Sequence, residues 1–87
     1  MKVYSINYDL KKPGMDYQDL YDAIKQYNWW HYLESTWLVH TNDSASDIFK
    51  RLKPHIDDND SILIIEAGKD KAGWLPEEAW DWINKKL

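Results

Sequence analysis

Met1-Lys2-Val3-Tyr4-Ser5-Ile6-Asn7-Tyr8-Asp9 opens the chain, and its reading decides the rest. Tyr4, Ile6 and Tyr8 alternate with Val3, Ser5, Asn7 and Asp9, a period of two that predicts a β-strand with one apolar face. A strand starting at residue 1 or 2 is most economically the central strand of a small sheet, with later elements packed around it. It ends on Asp9, just before the loop Leu10-Lys11-Lys12-Pro13-Gly14. A carboxylate at that position can bind a metal ion, orient water or cap a turn.

Working outward, Pro13-Gly14 turns the chain and Asp16 is a good helix N-cap. Tyr17, Leu20, Tyr21, Ile24 and Tyr27 follow at helical spacing, which predicts an amphipathic helix ending near Tyr27-Asn28. The tyrosine stripe suits a partly wet core edge, where the ring is buried and the hydroxyl reaches water; base stacking is the other use of such a stripe. Trp29–Leu33 and Thr36–Thr41 are rich in aromatic and β-branched residues. Glu34-Ser35 between them contains no primed-turn former, so a bend, a bulge or an irregular hairpin is expected there. Trp37 and Val39 should face one side of the sheet, Leu38 and His40 the other.

Ser44 with Asp47 makes a capping pair, and Ala45, Ile48, Phe49 and Leu52 continue a second helix that Pro54 ends. The polar loop Asp57–Asp60 leads to Ile62-Leu63-Ile64-Ile65, an apolar run that reads as a strand buried on both faces. After a charged loop from Gly68 to Gly73, Pro76, Glu77 and Glu78 open a last helix that closes on Lys85-Lys86, a charge order that suits the helix dipole. Ala79, Trp80, Ile83 and Leu87 form its stripe, and Trp74 and Trp82 lie off it. The expected fold is α+β: a ferredoxin-like βαββαβ sandwich with an extra C-terminal helix, in one domain over residues 1–87. The first and last helices need not share a face.

Composition narrows the function. The 87 residues include six Trp and six Tyr but no Cys, so aromatics must supply the core and thiolate chemistry is excluded. No signal segment opens the chain and no apolar run approaches a membrane span, so a cytoplasmic protein with no membrane partner is expected. A net charge of −4 argues against sequence-indifferent DNA binding while leaving room for a local basic patch such as Lys11 and Lys12. The three histidines show no zinc-ligand spacing. The acidic loop lacks the alternating ligands and central Gly of an EF-hand, and neither Ser35 nor Ser61 has the glycines of a nucleophile elbow. The basic aromatic strand signature of the RNA-recognition motif is absent as well. Asp9 remains the best single candidate. One carboxylate does not hold Mg²⁺ alone, but a symmetric dimer can bring two copies together.

Lys2–Leu10 with Lys12-Pro13-Gly14, then Trp30-His31 and Ser35–Val39, resembles the small bacterial proteins known as SinR-like, over nearly the whole chain. More distantly, the layout resembles CRISPR-associated protein 2 and the VapD-like ribonucleases over residues 1–67. The shared features are the strand-terminal Tyr8-Asp9, the entry to the third strand at Ser35–Trp37, and the acidic turn before an apolar strand at Asp57–Ile65. Asn28-Trp29-Trp30 stands where the CRISPR group commonly carries basic residues. The resemblance implies a ferredoxin-like homodimer with Asp9 at the metal-binding position. Two functions are then expected to compete. One is a nucleic-acid-binding dimer, a metal-dependent endoribonuclease with Mg²⁺ on paired Asp9, its site shaped by Tyr8 and Ser35 and its phosphate contacts made by Lys11 and Lys12. The other is a non-catalytic interaction module of a mobile-element or defence system, binding a protein partner or itself through Trp74 and Trp82. A small-ligand sensor is a third idea, for which no residue selects a ligand.

Overall fold

The computed structural model describes residues 1–11 and 16–87. The chain forms β1 (Lys2–Asp9), α1 (Gln18–Ile24), β2 (Asn28–Leu33), β3 (Thr36–Thr41), α2 (Ala45–Leu52), β4 (Ser61–Ala67) and α3 (Glu77–Lys86), with a 3-10 turn at Lys53–His55. This is the element order expected from the sequence. It is an α+β protein built on one four-stranded sheet, ordered β2-β3-β1-β4, in which every pairing is antiparallel. The opening strand is internal, paired with β3 on one side and β4 on the other.

Two apolar clusters lie on opposite faces of the sheet, as strand alternation requires. Tyr4, Ile6, Trp37 and Val39 meet Leu20 and Ile24 of α1 and Ile48 and Leu52 of α2 on one face. Val3 and Leu38 meet Ile83 of α3 on the other, with Trp80, Trp82 and Leu87 packed around them. The last helix therefore covers the side that the first two leave open. At α2, the Ser44 hydroxyl accepts from the Asp47 N–H while the Asp47 carboxylate accepts from the Ser44 N–H, closing the expected capping box.

Two local readings change, and a third takes a definite form. Helix α1 stops at Ile24, and Tyr27 sits at the entry to β2 with its hydroxyl donating to Asp43 at 2.8 Å. Its place in the helical stripe reflects that tether, not another helical turn. The β2–β3 hairpin carries the anticipated irregularity: Trp30 pairs with Leu38 and Leu33 with Thr36, so His31 and Tyr32 together oppose Trp37. The bulge re-aims Leu33, which joins Tyr32 in a cleft on the α3 side. Finally, β4 is not buried on both faces: Leu63 and Ile65 are 56% and 54% exposed, while Ile62 and Ile64 pack inward. β4 is an edge strand, and among its residues α3's cluster reaches only Ala67. Among the described residues no helix is long and apolar enough to cross a membrane.

Candidate functional site

The end of β1 meets the β2–β3 turn. The Tyr8 N–H donates to the Ser35 carbonyl at 3.1 Å, continuing the β1–β3 pairing past Thr36 into the turn. An open cleft of about 500 Å³ forms here, lined by Tyr8, Asp9, Leu10, Tyr21, Glu34 and Ser35. Ser35, singled out in the sequence, is thus brought beside Tyr8 and Asp9 at the end of β1.

Two polar groups of the cleft, Tyr8 and Asp9, are held differently. The Tyr8 hydroxyl accepts from the Trp37 indole N–H at 2.9 Å and donates to the Glu34 carbonyl at 3.3 Å. Burial pushes the phenol's pKa up, more than the indole hydrogen bond lowers it, so Tyr8 is a neutral hydrogen-bonding group at pH 7 and not a base. Asp9 is 65% exposed at its side chain and forms an ion pair with the Lys11 ammonium. The Lys11 backbone is held from the β4 side by Asp60, whose carboxylate accepts from the Lys11 N–H at 2.7 Å, the Asp57 N–H at 2.8 Å and the Tyr17 hydroxyl at 2.9 Å. Burial pushes the Asp60 pKa up, but those hydrogen bonds together outweigh it and leave it below the usual value. The acidic loop therefore has a positioning role. Lys12 lies outside the described residues.

Sequence reading missed the aromatic group beside the cleft. Trp37, only 1% exposed, has Tyr21, Trp29 and His31 around it. The His31 ring lies 3.8 Å from the indole and 6° from parallel. Its Nε2 is 3.0 Å from the Glu34 carbonyl, which only accepts, so Nε2 carries the proton. The available signal was the i, i+2 spacing of Trp29 and His31 on one strand face. The partner Trp37 follows only from the hairpin register.

Among the described residues no group of three or more His, Asp or Glu side chains is placed to hold a metal ion. Within one chain Asp9 is already paired with an ammonium, and Glu34 is the other acidic residue lining the cleft, so a divalent cation held by Asp9 would displace Lys11 and would need a further anionic ligand. The two tryptophans off the α3 stripe differ. Trp74 is fully exposed on the rim of a cleft of about 450 Å³ shared with Tyr32, Leu38 and Trp80, whereas Trp82 is half-buried against the Val3–Leu38–Ile83 cluster.

The chain is thus a small α+β protein with a four-stranded antiparallel sheet and a polar cleft at one end of its central strand. No family model matches the chain, and no solved structure matches it.

Proposed function

We propose that this chain is a ferredoxin-like homodimer similar to CRISPR-associated protein 2, which binds nucleic acid and cleaves RNA with Mg²⁺ held between paired Asp9 carboxylates. The ferredoxin-like reading rests on the order β2-β3-β1-β4, in which each helical crossover passes over one intervening strand. The functional reading rests on one observation. By cross-strand pairing, Ser5 with Ile65, Asn7 with Leu63 and Asp9 with Ser61, the carboxylate belongs to the same sheet face as the exposed Leu63 and Ile65. A two-fold contact that buries this apolar strip sets Asp9 of each protomer toward the axis.

Two carboxylates there meet the charge requirement that one cannot. An ion held there would lower the pKa of its water, so that a deprotonated nucleophile is available at neutral pH. The chain's own groups do the rest: Lys11, released from Asp9, meets a phosphate oxygen, and the Tyr8 hydroxyl and Ser35 bound the cleft. The test is a Mg²⁺ and Mn²⁺ titration of cleavage on single-stranded RNA and duplex DNA, wild type against Asp9→Asn. Metal-dependent RNA cleavage lost in the variant supports the reading; equal or absent cleavage in both overturns the enzymatic part.

A second reading has its own support. Trp74 is wholly exposed at the mouth of a largely apolar cleft, a placement that suits a protein-interaction module of a mobile-element or defence system. Oligomerisation or partner binding lost in Trp74→Ala, with no nuclease activity in the wild type, would favour it.

A further inference from the structure

We propose that the exposed face of His31 is a stacking platform for an unpaired nucleobase, so that the ligand is single-stranded. This rests on the nucleic-acid reading above and names its substrate class. β2 is an outer strand, and its bulge sends Leu33 to the opposite side of the sheet, removing the next residue from the row of Trp29 and His31. What is left is an exposed, flat imidazole with one face on the buried Trp37 indole and the other toward solvent.

The ring is held before any ligand arrives. Parallel stacking on Trp37 fixes its tilt, and the Nε2–H to the Glu34 carbonyl fixes its rotation, so little conformational freedom remains to be lost on binding. Trp37 is itself stacked toward Tyr21, with centroids 6.2 Å apart. A base on His31 extends a series of rings that already exists. Bases in a duplex have both faces covered by their neighbours, so only a single strand or an extruded base can use this surface.

Charge sets the path of the backbone. Asp9 and Glu34 line the neighbouring cleft and repel phosphate unless a cation intervenes. On the other side, the Lys25 ammonium sits 5.5 Å from the centre of the Trp29 ring and offers a cation beside the platform's aromatic row. The strand's phosphates therefore run past Lys25, with a base turned onto His31.

The experiment is fluorescence anisotropy at low salt with three labelled probes: a short single-stranded RNA, the same strand annealed to its complement, and an abasic backbone of equal length. Wild type should bind the single strand about tenfold or more tighter than the abasic backbone, as loss of one base–aromatic stack implies. His31→Ala should lose that preference, and His31→Phe, which keeps a ring over Trp37, should restore it. Circular dichroism of each variant checks the fold, and the abasic comparison in wild type needs no variant. Equal affinity for single-stranded and abasic probes, or a preference unchanged in His31→Ala, overturns the platform while leaving nucleic-acid binding in place. Failure of all three probes to bind overturns both.

Discussion

The Trp37 indole N–H donates to the Tyr8 hydroxyl at 2.9 Å, joining β3 to β1 on the face that α1 and α2 cover. Trp37 is 1% exposed, so water has little access to that N–H if the hydroxyl is removed. Tyr8→Phe keeps the ring and its packing but orphans the donor, which costs about 1–3 kcal/mol. The check is the urea midpoint, with the denaturant slope unchanged. A midpoint equal to wild type would mean that the hydrogen bond adds nothing to stability.

Asp60 gives the acid limb of the stability curve a definite sign. Its folded pKa lies below its ordinary 3.8, because the hydrogen bonds from Lys11, Asp57 and Tyr17 outweigh the burial that opposes them. A depressed carboxyl adds stability that is fully present above the unfolded value and is lost as pH falls through the folded one. Asp60→Asn, which replaces a charged acceptor of three hydrogen bonds, should cost about 1–3 kcal/mol at pH 7. The gap from wild type should close as pH falls below 3.8. Denaturant melts across pH 2–7 measure it; a gap independent of pH would rule out the carboxylate's charge as the cause.

These two contacts also mark what a linear sequence carries and what it does not. Alternation in Lys2–Asp9, the Ser44–Asp47 capping pair and the charge order of α3 are local patterns, and each forms as read. The run Ile62–Ile65 misled because hydropathy does not say how far a neighbouring helix reaches, and α3 leaves Leu63 and Ile65 exposed. The convergence of Tyr8, Asp9 and Ser35 was suggested by family likeness, and the cleft between them depends on the pairing of β1 with β3. The His31–Trp37 stack depends on a one-residue bulge, and no local pattern encodes the register of a hairpin whose turn lacks a standard turn residue.

Trp74 and Trp82 look equivalent in the sequence but occupy different environments. Trp74 is fully exposed, and Trp74→Ala should leave monomer stability within about 0.5 kcal/mol of wild type. Trp82 packs against the second apolar cluster, so Trp82→Ala should cost about 1–3 kcal/mol, less than the roughly 3–5 kcal/mol of a fully buried tryptophan. Thermal and urea unfolding of the two variants test the contrast. Equal losses would mean that Trp74 is covered in solution, pointing to an assembly that buries it.

The open sheet face makes the last prediction, because stability and assembly respond to it separately. Ile65 is 54% exposed on a strand that, among the described residues, pairs with β1 alone, opposite Ser5. In a monomer, Ile65→Lys places a charge in water and should change stability by no more than about 0.5 kcal/mol. In a dimer that closes over this face, the same change buries two like charges near a two-fold axis, which the interface does not tolerate. Sedimentation equilibrium of wild type should therefore give twice the chain mass, and of Ile65→Lys the chain mass, at protein concentrations where both remain folded. Removing the dimer should also abolish any Asp9-dependent cleavage, since each protomer then keeps Asp9 without its symmetry mate. A variant that stays dimeric would move the interface elsewhere, and activity retained by a proven monomer would take the two-carboxylate site away altogether.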